Sequence, residues 1–91
     1  MTRFLEAFDA LPKATFEARW NGRGYVVSIT EFGKGRSAKL WAEEAGGADR
    51  ISFNLYRLAD GTARLRPCEM PREKVVKFVE ELVPSERPAR D

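Results

Sequence analysis

Two segments of the chain carry apolar residues at helical spacing, one near each end. The apolar residues of the first are Phe4, Leu5, Phe8 and Leu11, and those of the second are Val75, Phe78, Val79 and Leu82. Because residues three and four apart share one side of a helix, each segment predicts an amphipathic helix with one buried face. Pro12 closes the first helix, whereas Pro71 suits the first turn of the second and Pro84 ends it.

The residues between these helices alternate between apolar and polar positions, which predicts five β-strands. Asn21-Gly22 separates the first two alternating runs, and this dipeptide favours a two-residue turn because both positions of a type I′ turn need positive φ. The resulting hairpin pairs Phe16 with Val27 and Ala18 with Tyr25. A four-residue loop from Asn21 to Gly24 would keep the same residues inward, whereas a three-residue loop would not. The strand residues that then face inward are Phe16, Ala18, Trp20, Tyr25, Val27, Ile29, Ala38, Leu40, Ala42, Ile51, Phe53, Leu55, Ala63 and Leu65.

The turn between the fourth and fifth strands is open to two interpretations. A two-residue loop at Asp60-Gly61 would set Leu55 opposite Arg66, whereas a three-residue loop from Ala59 to Gly61 sets Leu55 opposite Leu65. The second choice keeps apolar side chains together, and we therefore prefer it. It sends Ser52, Asn54, Tyr56, Arg64 and Arg66 to the other face of the sheet.

The pattern as a whole predicts a two-layer α+β domain over residues 1–84. Its five-stranded antiparallel sheet has an N-terminal and a C-terminal helix on one face. The charged, proline-bearing segment 85–91 is expected to be a mobile tail.

Composition removes several classes of function. The 91 residues are 43% hydrophobic and 33% charged with a net charge of +2, which indicates a globular chain and does not by itself indicate nucleic acid binding. The chain has no histidine and one cysteine, so it holds no Ser-His-Asp unit, no Cys/His zinc site and no internal disulfide. No signal sequence or membrane span is recognised, and we expect a cytoplasmic protein without a cofactor.

The sheet face without helices is the candidate binding surface. Alternation places aromatic and basic side chains on it: Arg19, Phe32, Lys39, Trp41, Tyr56, Arg64 and Arg66. Such a face fits a homodimer or a protein partner, since exposed apolar patches mark association. Aromatic rings among arginines also fit single-stranded nucleic acid, although Glu17 and Glu43 share the face.

Cys68 is the one residue that could support catalysis. It follows the fifth strand, and Arg66 and the amino end of the second helix could both favour its thiolate. The alternative is a packed cysteine at the junction between strand and helix. We expect binding and not catalysis, with a thiol-based redox activity at Cys68 as the competing hypothesis.

Four motifs along the chain resemble a family of short bacterial proteins without an established function. They are Trp20-Asn-Gly-Arg-Gly-Tyr-Val-Val, Lys39-Leu-Trp-Ala-Glu-Glu, Ile51-Ser-Phe-Asn-Leu-Tyr and Arg66-Pro-Cys-Glu-Met-Pro. Some members of this family carry the name peptide methionine sulfoxide reductase, which would imply a redox role for Cys68. The Gly-Cys-Phe-Trp and paired CxxC motifs of those reductases are not present in this sequence.

The order of elements resembles a second family. Several strands that lead through a proline into an amphipathic C-terminal helix, Met70 to Leu82, are similar to the PC4-like single-stranded-DNA-binding coactivators, which are dimers. This resemblance implies a possible function and no individual site residues.

Overall fold

The computed structural model describes residues 1–88, together with the side chains of residues 1–85. It contains two helices and six strands in chain order: α1 (Thr2–Ala10), β1 (Thr15–Trp20), β2 (Arg23–Phe32), β3 (Ser37–Glu44), β4 (Arg50–Arg57), β5 (Ala63–Pro67), α2 (Arg72–Glu81) and β6 (Val83–Pro88). The strands form one antiparallel sheet in the order β5-β4-β3-β2-β1-β6. The prediction of an α+β domain with an antiparallel sheet is confirmed.

The predicted strand count of five is wrong, because the chain forms a sixth strand after α2. The helix ends at Glu81, where Leu82 turns to an extended conformation (φ −62°, ψ 148°), and β6 then pairs with β1. Pro84 and Pro88 conceal this strand in the sequence, since proline is uncommon inside sheets. Both are tolerated because β6 is an edge strand. Part of the segment assigned to a tail, residues 85–91, is therefore a strand, and residues 89–91 lie outside the described part.

Both predicted turn geometries are confirmed. Phe16 pairs with Val27 across the first hairpin, and its turn residues Asn21 (φ 53°) and Gly22 (φ 74°) have the positive φ that a type I′ turn requires. Leu55 pairs with Leu65, because the Leu58 N–H donates to the Thr62 carbonyl at 2.8 Å and closes a three-residue loop, 59–61, in which Gly61 adopts φ 90°. These registers place every inward residue on the same side of the sheet.

The core lies between that side of the sheet and the two helices. Phe4 and Phe8 of α1 contact Phe53 edge to face, with ring centroids 5.8 and 6.0 Å apart. Phe78 of α2 contacts Tyr25 in the same manner at 5.3 Å. The predicted inward positions are buried except Trp20 and Ala63, which are half-buried. Both helices therefore cover one sheet face and leave the other open.

Neither α1 nor α2, the helices of the described part, is long and apolar enough to cross a membrane.

Candidate binding face

The open face is the surface formed by the outward side chains of β1 to β5. The register places seven predicted site residues on it, namely Arg19, Phe32, Lys39, Trp41, Tyr56, Arg64 and Arg66. All seven are exposed. Phe32 is 54%, Val26 42%, Tyr56 39% and Trp41 36% exposed, so the face carries a substantial apolar surface. Within residues 1–85, no other segment covers these four side chains.

The strand register divides the open face into two ends of different charge. At one end, the cross-strand row Phe32–Ser37–Tyr56–Arg64 lies beside the row Thr30–Lys39–Asn54–Arg66. These two rows contain three cations and no carboxylate, and we call them the basic end. Two aromatic rings stand beside the cations.

The other end carries charges of both signs, and we call it the mixed end. Its main row runs Glu17–Val26–Glu43–Arg50 across four strands, and Arg19 and Gly24 lie beyond it. The two glutamates that weaken a nucleic-acid interpretation of the sequence are thus separated from Lys39, Arg64 and Arg66. Sequence alternation alone assigns these residues to one face, and only the register separates them along it.

Trp41 lies midway between the two ends, in a row with Ser28 of β2 and Ser52 of β4. The Arg50 guanidinium is 5.7 Å from the centroid of its ring, a cation–π distance. Ser52 was predicted to point outward and does lie on this face, but it is only 4% exposed. It is shielded because the register places it between the large Trp41 side chain and Cys68, and it is not available to a partner.

Cys68 is half-buried where the chain leaves β5. Its backbone N–H donates to the Ser52 carbonyl at 2.9 Å, and its Sγ lies 3.9 Å from the Asn54 Nδ2, which donates to it. Among the described side chains, no basic group hydrogen-bonds to Sγ. The geometry therefore supplies packing and an amide contact at this thiol, and its catalytic role remains a hypothesis.

A depression of about 240 Å³ lies at the mixed end, over Gly24. Its lining includes Glu17, Arg19, Gly24, Val26 and Ala45. Apart from the chain neighbours of Gly24, no atom of the described residues lies within 4 Å of the position that a Cβ on it would occupy. The volume exceeds the ~150 Å³ of a cavity that holds a benzene ring.

A second depression, of about 310 Å³, is found at the β5 edge. Arg64, Arg66 and Arg72 line it, and no carboxylate is among its lining residues. None of the three arginines takes part in an ion pair with the described residues. This depression extends the basic end around the edge of the sheet.

A polar cluster centred on Asp49 was not predicted from the sequence. The Tyr25 hydroxyl donates to Asp49 Oδ2 at 2.6 Å, Lys74 of α2 pairs with Oδ1, and the Asp49 backbone N–H donates to Glu44 Oε1 at 3.2 Å. Burial opposes ionisation of Asp49, but the hydrogen bonds from Lys74 and Tyr25 prevail and hold its pKa below 3.8. Burial, then the bond to Asp49, raises the pKa of Tyr25 to about 12.

This cluster ties α2 and the β3–β4 loop to β2, and its polar groups are satisfied by one another. Sequence reasoning missed it because its members are far apart along the chain and the hydrophobic pattern assigns Tyr25 simply to the core. Among the described residues, moreover, no three acidic, histidine or cysteine side chains are grouped as metal ligands would be.

No protein-family description matches this chain, and neither a curated protein nor a solved structure shows significant similarity to it. The function is therefore inferred from the site itself.

Proposed function

We propose that the chain is a binding domain that acts without catalysis, through its open sheet face, on a protein partner. The observation that carries this proposal is the exposure of Phe32, Trp41, Tyr56 and Val26 on one face of a sheet whose other face is covered by the two helices. Exposed apolar surface is costly to leave in water and marks sites of association. Aromatic side chains beside arginine are also the composition that interface centres favour.

Photo-crosslinking in cells tests this proposal. A benzophenone amino acid at Trp41 should give discrete crosslinked protein products, because Trp41 lies at the centre of the open face. The matched control is the same amino acid at Lys77, which is exposed on α2, on the opposite side of the domain. Equal crosslinking at the two positions would contradict the proposal.

Single-stranded nucleic acid is the second candidate partner, and one observation favours it. The basic end combines Lys39, Arg64 and Arg66 with two exposed rings, and the arginine-lined depression continues it. Phosphates could contact the guanidinium groups while bases stack on Tyr56 and Phe32.

A titration with a fluorescent single-stranded oligonucleotide distinguishes this candidate. If it is correct, binding weakens as salt rises, and Arg66→Gln reduces the slope of log K against log salt by about 0.7–1. The control Arg3→Gln, on α1, leaves the slope unchanged. No binding at low salt would dismiss the candidate.

A further inference from the structure

We propose that the open face binds a second copy of this chain, across a two-fold axis that lies midway between the two facing sheets and parallel to them, runs perpendicular to the strands, and lies over the Ser28–Trp41 row. This inference rests on the proposed function and names its partner. It follows from the strand register, which places opposite charges, and likewise a ring and a depression, at equal distances on the two sides of one row of the open face.

The charge distribution selects the direction of the axis. When two sheets meet face to face, an axis parallel to the strands would place the basic end of one copy on the basic end of the other. Such like-charge contact is unfavourable. An axis perpendicular to the strands reverses the strand direction and places the basic end on the mixed end.

The position of the axis follows from β3. Lys39 and Glu43 lie on the same face of this strand, two residues on either side of Trp41. A two-fold axis at Trp41 therefore sets Lys39 of each copy opposite Glu43 of the other. The two indole rings meet at the axis, where an offset aromatic contact would form.

The same axis provides shape complementarity on β2. Phe32 and Gly24 lie four residues on either side of Ser28, so each Phe32 falls opposite Gly24 of the second copy. Phe32 is the most exposed aromatic side chain of the face, and the depression of about 240 Å³ lies over Gly24. One operation thus sets an exposed ring over this depression at both ends of the contact.

The area is sufficient for a stable dimer. Four strands ~4.8 Å apart and eight residue steps of ~3.4 Å give a flat footprint of roughly 500 Å². Projecting side chains make the accessible area larger, which brings it to the ~600–800 Å² per partner of the smaller specific interfaces. The arginine-lined depression at the β5 edge lies outside this footprint.

Light scattering after size exclusion tests the association, and a charge exchange tests its geometry. We expect a dimer at tens of micromolar. Lys39→Glu and Glu43→Lys should each raise the dimer Kd about tenfold or more, and the double exchange should restore it to within about threefold. Glu6→Lys is the matched control, because Glu6 is an exposed acid on α1, on the opposite side of the domain.

A short bis-maleimide crosslinker tests the axis position in a Cys68→Ser background. Ser28→Cys should crosslink, because Ser28 faces its own copy across the ~10 Å between packed sheets. Thr30→Cys, on the same strand and face, should not, because the proposed axis offsets the two copies by about four residues, or ~14 Å.

The inference would be overturned if the protein is a monomer at 200 µM or if the double charge exchange does not restore the dimer. It would also be overturned by equal crosslinking at positions 28 and 30, or by a monomer that binds oligonucleotide through this face. If the Trp41 photo-crosslink then captures a different protein, the proposed function stands while the dimer does not. If it captures nothing, both fail.

Discussion

Asp49→Asn tests whether the cluster around Asp49 holds α2 against the sheet. The substitution keeps the size of the side chain and removes its charge. Its bond from Tyr25 changes from charge-assisted to neutral, a loss of about 1 kcal/mol. The ion pair with Lys74 is partly exposed (side chains 34% and 19%), so solvent screening limits it to about 0.5–1 kcal/mol. We expect a total loss of about 1.5–2 kcal/mol at neutral pH.

The loss of stability caused by Asp49→Asn should depend on pH. Because the pKa of Asp49 is lower in the folded chain than its ordinary 3.8, its contribution is fully present above that value and is lost as pH falls through the folded pKa. Protonated aspartic acid resembles asparagine. The difference between wild type and variant should therefore shrink progressively as pH falls below 3.8.

Urea unfolding followed by tryptophan fluorescence measures both quantities. Trp20 is a suitable reporter, because its ring packs edge to face on Tyr25 and Phe78, with centroids 6.1 and 5.3 Å apart. Glu17→Gln, an exposed substitution on the open face, serves as the control and should change stability little at either pH. A loss that is equal at pH 7 and near pH 2, or that is negligible at pH 7, would refute the assigned role.

Three further predictions concern the core, a turn and the thiol. Phe53→Ala removes a fully buried ring with two aromatic neighbours and should cost about 4–6 kcal/mol by urea unfolding; a cost below 2 would contradict the packing of α1 on β4. Gly22→Ala forces a β-carbon into φ 74° and should cost about 1 kcal/mol by urea unfolding. Gly24→Ala, where φ is not positive and no described atom crowds the new β-carbon, should cost less; equal costs would contradict the strain at Gly22. Cys68→Ser should change the free energy of unfolding by less than about 1 kcal/mol. If the purified wild type has an oxidoreductase activity that this variant lacks, the redox hypothesis is favoured instead.

The local pattern of the sequence was sufficient for most of the fold. Hydrophobic period distinguishes α1 and α2 from the strands, and Asn21-Gly22 fixes the first hairpin because few other dipeptides accept two positive φ values. The three-residue loop at Gly61 follows from the requirement that Leu55 meet Leu65. In each case the conformation that the local residues prefer is also the one that buries the neighbouring apolar side chains, and both can be read from nearby positions in the sequence.

The features that could not be predicted from the sequence depend on contacts between residues that are far apart in the chain. β6 forms because the end of α2 brings the chain back beside β1, and its proline-bearing sequence has no strand signal of its own. The cluster at Asp49 joins residues 24 and 25 positions away, which no spacing rule connects. The two ends of the open face exist only in the register of five strands, because alternation determines the side of a sheet on which a residue lies, whereas cross-strand pairing determines its neighbours on that side.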